Sequence, residues 1–369
     1  MAELLVPFQH HIIAKAASTS DIIAKKAYGA DSIEWQIIDK KNNYEITDED
    51  MSILPITSVH TALGTTHWAT DIDACIASDY ISSEKANWTI AHLTRGCMLA
   101  ERCSNHQGFP VKVVVHLRDR NRPYADTDYA MIVGDLLRNY PHIEICFENV
   151  PGFGENGCKG TNSYPGTVSD FAKAIRDDKW AIKDKDRHRI GVVLDVCHML
   201  NTVRGLRILR EKEGYDLVND VDGIEEFFKK DGDMAKIIHF NNSRFLGIKD
   251  INHSIPFQDD FLFQAALSFT QQYTPSADLV LEIREDDYKK PVNFGSTAEL
   301  VRKAERNDKG LITTIHSDKY NTEFRLGYDI YGYYLMPTQN TDKEVIKELQ
   351  FKEEMYGLVK KRISDPSEV

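Results

Sequence analysis

The stretch GVVLDVCHML, residues 191–200, carries Asp195 and His198 three residues apart at the end of an apolar run that reads as a buried strand. A carboxylate or imidazole taken out of water needs a partner, because its desolvation is otherwise uncompensated. The pattern recurs along the chain. SVHTALG carries His60, VVVHLRD carries His116 and CFENVPG carries Glu148, while IIHFNNS carries His239 and LVLEIRE carries Glu282. Each is a His, Asp or Glu near the C-terminal end of an apolar, β-branched run. Side chains alternate between the faces of a strand, so Val114 shares a face with His116, Cys146 with Glu148, and Val193 with Asp195. One such residue alone is more often a structural histidine, a helix cap or an ion-pair partner than a ligand. Six together point elsewhere. His, Asp and Glu are the ligands that hold zinc or manganese, and several of them converging describe a multinuclear metal site.

Convergence requires a scaffold that brings strand ends to one place. Eight apolar runs are visible: ELLVPF, DSIEWQII, ITSVHTAL, VKVVVHL, EICFENV, IGVVLDV, KIIHFNN and DLVLEIRE. Helix-like segments at 83–104, 124–139, 167–176 and 222–230 lie between them. Near-continuous apolar strands alternating with helices indicate a parallel sheet covered on its faces. Eight units by about residue 285 predict a (β/α)8 TIM barrel over residues 1–306, with an open doubly wound sheet as the alternative. The third to eighth strands then deliver their His, Asp and Glu to the C-terminal mouth, where barrel active sites sit. Residues 307–369 are expected as a C-terminal helical extension packed on the barrel. Val345, Leu349, Tyr356 and Val359 fall at helical spacing within 342–360, with a dimer contact as the second reading.

The 369 residues are 42% hydrophobic and 28% charged, the composition of a globular protein. A net charge of −12 argues against a surface coated for nucleic acid while leaving room for one local basic groove, and it suits a site that gathers cations. Cys75, Cys97, Cys103, Cys146, Cys158 and Cys197 form no CxxC pair, which predicts reduced thiols rather than a disulfide framework. MAELLVPFQHHIIAKAAS shows no basic region followed by an apolar run. No stretch approaches the roughly 18 apolar residues of a membrane span. A cytoplasmic protein without membrane contact is expected. GFGENG at 152–157 matches the glycine spacing of a dinucleotide loop. Lys159, Gly160 and Pro165 prolong the loop instead of opening a helix, so no nucleotide site is expected there.

Three of these motifs resemble the xylose isomerase-like barrels, and among them the endonuclease IV type of apurinic/apyrimidinic endonuclease. The resemblance runs from about 55 to 285. FENVPGFG resembles that family's glutamate–asparagine strand end. GVVLDVCH resembles its Asp-Thr-Cys-His signature with Val196 in place of threonine. IHFNNSRFLGIKDINH resembles its His-x-Asn-Asp-Ser-Lys…Asp-Arg-His signature. The resemblance implies two or three divalent ions, zinc first and manganese second. Glu148 would bridge two ions, His60 and His116 would complete the first, and Asp195, His239 and Glu282 the second. His198 and Asp250 would begin a third site, joined by Asn252 or, through a one-residue bulge, by His253. Asn242 and Arg244 depart from the signature's Asp and Lys, and the loop DKKNNYEITDEDMS after the second strand is acidic rather than basic.

Sugar isomerases and epimerases of the same superfamily use one ion and two proton-exchanging glutamates, roles that Glu148 and Glu282 would fill. A phosphodiesterase needs His60 and His116 as well, whereas a one-ion isomerase does not. A barrel that binds ligand without catalysis is disfavoured by the intact set. The expected partner is abasic DNA or a small phosphorylated or sugar substrate. Lys112, Arg118, Arg120, Arg122 and Arg244 are the cations expected to face a phosphate, with pairing to Asp119 and Asp126 as the alternative for the arginines.

Overall fold

Eight strands run parallel: β1 (Ile12–Ala16), β2 (Ser32–Ile38), β3 (Ile56–Leu63), β4 (Val111–His116), β5 (Ile143–Glu148), β6 (Ile190–Asp195), β7 (Ala235–His239) and β8 (Asp278–Leu281). Each hydrogen-bonds to the next and β8 pairs with β1, which closes the barrel in the computed structural model of the chain. The structure describes residues 11–38, 44–63, 84–116, 127–150, 153–154, 157–158, 164–213, 219–245, 251–257, 260–306, 314–317, 321–329, 332–337 and 343–345. Helices follow the strands around the outside, among them Thr19–Ala27, Glu84–Gln107, Thr127–Asn139, Thr167–Arg176, Val196–Glu213, Asp260–Tyr273 and Val292–Arg306. This is a (β/α)8 TIM barrel, as the alternation of runs predicts.

The strands are apolar on both faces because both are covered. In β4, Val111, Val113 and Val115 pack in the layer beneath the helices, while Val114 points inward. Inside, Ile13, Val114, Cys146, Val193, Ile237 and Val280 form a separate apolar layer across the middle of the barrel. Below it lies a floor of paired charges. Lys112 Nζ reaches Asp278 Oδ2 at 2.7 Å and Lys236 Nζ reaches Glu144 Oε2 at 3.0 Å. β4 and β8 stand on opposite sides of the barrel, so the first pair crosses its interior. Lys112 is therefore at the N-terminal end and not among the phosphate-facing cations of the mouth. It shares a face with His116, but four residues of strand separate them.

Two expectations about the ends of the chain need correction. ELLVPF lies outside the described residues, and the strand that closes the barrel is IIAKA at 12–16, whose lysine interrupts the apolar run. The predicted helical extension contains an antiparallel sheet of Thr314–Ser317, Thr322–Asp329 and Gly332–Pro337. Tyr328 pairs with Tyr333 and Gly327 with Tyr334, the arrangement that tyrosine-rich segments favour when they line one another across strands. The strand Thr322–Asp329 packs against helix Asp220–Asp231. Of the helix predicted over 342–360, residues 343–345 are helical and the rest lie outside the described residues.

Among the described residues the glycine-rich stretch opens no helix. Phe153–Gly154 pairs antiparallel with Gly157–Cys158, and the next described helix begins at Thr167. Cys97, Cys103, Cys146 and Cys197 are free and buried, and burial pushes the Cys146 thiol up to about 12, which leaves it inert at neutral pH. No helix among the described residues is long and apolar enough to cross a membrane.

Candidate metal centre

Glu148, the last residue of β5, stands at the centre of the mouth with its side chain 1% exposed. Its two oxygens face different neighbours. Oε2 lies 3.2 Å from His60 Nε2 of β3 and 3.3 Å from His116 Nε2 of β4. Oε1 lies 3.2 Å from His239 Nδ1 at the end of β7. The same His239 nitrogen is 3.6 Å from Asp195 Oδ2 of β6 and 3.1 Å from Glu282 Oε2, one residue past β8. Two overlapping groups result. In His60, His116 and Glu148, and again in Glu148, Asp195, His239 and Glu282, one ligand atom per residue lies within 4.8 Å of all the others. Six strands expected to converge do so, and Glu148 belongs to both groups.

The backbone fixes which nitrogen each imidazole offers. His60 Nδ1 donates to the Thr61 carbonyl at 3.0 Å, which leaves Nε2 to face Glu148. His239 Nε2 donates to Glu34 at 3.1 Å, which turns Nδ1 toward the carboxylates. His198 Nδ1 donates to the Asn149 carbonyl at 2.6 Å and lies 3.6 Å from Glu148 Oε1. His198 thus stands beside the two groups without joining either. Nitrogen and oxygen donors in this mixture, three imidazoles against three carboxylates, fit borderline and hard divalent ions.

Asp195 answers why an aspartate ends an apolar strand. Its Oδ1 accepts from His198 N at 2.9 Å, capping helix Val196–Glu213, while Oδ2 accepts from Asn241 Nδ2 at 3.3 Å and faces His239. The helix begins at Val196, one residue earlier than a strand running through Val196 would allow. Asn149 ties the neighbouring strand ends together. Its Oδ1 accepts from Asp195 N at 2.6 Å, and its Nδ2 donates to Asp195 O at 3.2 Å. Asn241 Oδ1 accepts from Cys197 N at 2.8 Å. These amides hold the candidate ligands from outside, as the partners of metal ligands commonly do.

Two residues at the site were not singled out in the sequence: Lys15 of β1 and Glu34 of β2. Lys15 Nζ lies 2.7 Å from Glu282 Oε2 and 3.4 Å from Glu34 Oε1. Glu34 also accepts from Ser58 Oγ at 2.8 Å. Burial opposes ionisation of Glu34, but His239 and then Lys15 outweigh it and hold the carboxyl down at about 2. Burial likewise opposes the charge on Glu148, and His239 and His116 overcome it, so this carboxyl lies well below its ordinary value. For His239 burial works against the proton, yet Glu34 and Glu148 raise its affinity well above the ordinary imidazole. His60 goes the other way, lowered by burial and then by Lys15. The group is a cage of carboxylates compensated by one lysine and one imidazolium.

Of the residues expected at a third site, Asp250 lies outside the described residues, as do Arg118, Arg120, Arg122, Asp119 and Asp126. His253 is on the strand Ile251–Ile255, which pairs antiparallel with Asn242–Phe245. Asn242 pairs with Ile255 and Arg244 with Asn252, so a one-residue bulge falls at His253–Ser254, where Ser254 has φ of 59°.

No protein-family model matches the sequence, and no curated protein matches it. Solved structures do resemble it in fold. A xylose isomerase domain protein from Planctomyces limnophilus superposes with a TM-score of 0.50 at 12% identity, over 80% of this chain and 96% of that one. A xylose isomerase-like TIM barrel protein from Mycobacterium smegmatis, in complex with magnesium, gives 0.49 at 11% identity, over 82% and 99%. What the chain shares with these structures is its fold, a closed barrel of eight parallel strands.

Proposed function

We propose that the protein is a divalent-metal-dependent phosphodiester hydrolase of the endonuclease IV-like type, acting on abasic DNA, with zinc as the first choice of metal and manganese as the second. The observation that carries this reading is the division of Glu148. Its Oε2 faces His60 and His116 and its Oε1 faces His239, so one carboxylate serves two donor groups. A one-ion isomerase would use only the second group, and His60 would be a bystander. A pair of divalent ions held here would supply a nucleophilic water at neutral pH and positive charge for the leaving oxygen.

The chain's own residues supply orientation and access. Glu148 fixes the spacing of the two groups, and Thr61 and Glu34 set the ring orientations of His60 and His239. His116 and Glu282 are each about one-fifth exposed while Glu148 is buried, so a substrate would approach over the first two. The net charge of −12 opposes long-range attraction of a polyanion, so duplex binding has to come from a few local cations. Arg118, Arg120 and Arg244 are the candidates in sequence.

Metal content of purified protein, measured with turnover of an abasic-site duplex, tests the reading. Two or three ions per chain are expected. His60→Ala should lose one ion and the cleavage activity together. Duplex binding should weaken with salt, and its salt slope should shrink in an Arg118→Ala, Arg120→Ala double variant. One ion per chain, no duplex binding at low salt and metal-dependent turnover of a ketose would identify a sugar isomerase or epimerase instead.

A further inference from the structure

Lys15 and Glu34 sit on adjacent strands, β1 and β2, and close a ring with two residues of the second donor group. Lys15 Nζ meets Glu282 Oε2 at 2.7 Å, Glu282 Oε2 meets His239 Nδ1 at 3.1 Å, His239 Nε2 meets Glu34 Oε1 at 3.1 Å, and Glu34 Oε1 meets Lys15 Nζ at 3.4 Å. Basic and acidic side chains alternate around this ring. Glu34 and His239 are fully buried, so water cannot replace a lost partner. His239 has one nitrogen committed to Glu34 and the other turned to Glu148, Asp195 and Glu282. A lysine in the interior of a strand is costly unless it compensates buried carboxylates.

We propose that Lys15 and Glu34 tune the donor group of Asp195, His239 and Glu282. Glu34 fixes His239 so that it ligates through Nδ1, and Lys15 is the internal counter-ion that holds the carboxylates together until a divalent cation supplies that charge. The inference rests on the metal-site reading and extends it to two residues outside the ligand set. Their effects have opposite signs. Removing Glu34 takes away an outer carboxylate partner, which ordinarily costs a ligand 10- to 100-fold in metal affinity. Removing Lys15 takes away a cation that repels the incoming ion and competes for Glu282. Even in a medium as polarisable as water, a unit charge a few ångströms from a dication is worth about tenfold or more in affinity.

The test is titration of zinc into metal-free protein against a chromophoric chelator, for wild type, Glu34→Gln and Lys15→Met, with melting curves in the presence and absence of metal. Expected are a roughly 10- to 100-fold weakening of one ion in Glu34→Gln with the other ion unchanged, and tighter binding of the same ion in Lys15→Met. Lys15→Met should melt lower without metal and recover most of the loss with it, because ligand binding to the folded state stabilises it. Nitrogen NMR of the cadmium-loaded protein should show His239 bound through Nδ1. Glu34→Asp, which keeps the charge but shortens the reach, should behave like Glu34→Gln should the latter not fold. Wild-type protein that binds no divalent ion would remove the metal-site reading itself. Wild type that binds two ions, with unchanged affinity in Glu34→Gln, coordination through Nε2, weaker binding in Lys15→Met, or a Lys15→Met chain that does not fold even with zinc, would overturn the inference alone.

Discussion

Glu148→Gln replaces the one carboxylate common to both donor groups while keeping its shape. The hydrogen bonds can survive the change. The amide oxygen can still accept from His239 Nδ1 at the position where Oε1 stands 3.2 Å away, and the amide N–H can donate to His60 Nε2, whose other nitrogen is committed to Thr61. The variant should therefore fold, and its defect should be specific to metal. Loss of an outer partner already lowers metal affinity by about 10- to 100-fold, so loss of charge from a directly shared ligand should cost at least about 100-fold at each position. That is about 2.8 kcal/mol per ion, at 1.4 kcal/mol per tenfold. Dialysis at a zinc concentration that just saturates the wild type, followed by elemental analysis, should then find at least one ion missing. Turnover should fall to near background because both groups share this residue. A Gln variant that retains the full metal content and near-normal activity would remove Glu148 from the bridge and with it the case for two coupled positions.

Metal-free stability should depend on pH in two opposed ways. Glu34 is held at about 2 instead of 4.5, so its contribution is present above pH 4.5 and lost as pH falls toward 2. His239 is raised, so its contribution is complete below 6.5 and lost as pH climbs through its folded-state value. Melting temperature in the presence of chelator should peak between these limits, and a steady rise through pH 8 would contradict the assignment of His239 as a cation. Metal binding at neutral pH should release the His239 proton, measurable by calorimetry in buffers of different ionisation enthalpy, and no buffer dependence would count against it. Away from the mouth, buried Asp220 pairs with Arg204 Nε at 2.9 Å and with Arg207 Nη2 at 2.5 Å. Asp220→Asn should cost about 3–5 kcal/mol in urea unfolding, because two guanidinium groups lose their counter-charge, and a cost below 1 kcal/mol would show the pair to be dispensable.

The donor set was legible in the sequence because six polar residues fall at the same point of six apolar runs, and a parallel barrel has only one place to put them. Lys15 and Glu34 are harder to read for the opposite reason: they stand inside a strand rather than at an obvious end. A signal was present in β2, where Ile33, Trp35 and Ile37 alternate with Glu34 and Gln36. In a strand covered on both faces, that alternation marks an inward polar side. In β1 the lysine shortens the apolar run to two isoleucines and an alanine, whereas ELLVPF just upstream has the stronger apolar pattern. The C-terminal sheet is not legible in the same way, because the helical spacing in 342–360 says nothing of the tyrosine-rich segment before it, whose pairing depends on contacts across strands rather than along one. Asp195 shows a different limit. One oxygen caps the helix and the other faces His239, so a cap at a strand end does not exclude the expected ligand role.

The apolar layer of Ile13, Val114, Cys146, Val193, Ile237 and Val280 has a consequence for how the barrel could change over time. It separates two charged assemblies on one axis, the basal pairs of Lys112 with Asp278 and Lys236 with Glu144 and the carboxylate cage at the opposite end. A layer of low polarisability screens little, so a lone charge created at the base would be felt at the mouth, whereas a change that keeps a basal pair neutral leaves only a weak dipole field there. The base can be rearranged by charge-conserving substitutions with little change of potential where substrate would sit, and side chains at the mouth can be exchanged without loosening the plug beneath. Chemistry and mechanical closure are thus carried by different rungs of the same eight strands, and substitutions in one should combine additively with substitutions in the other.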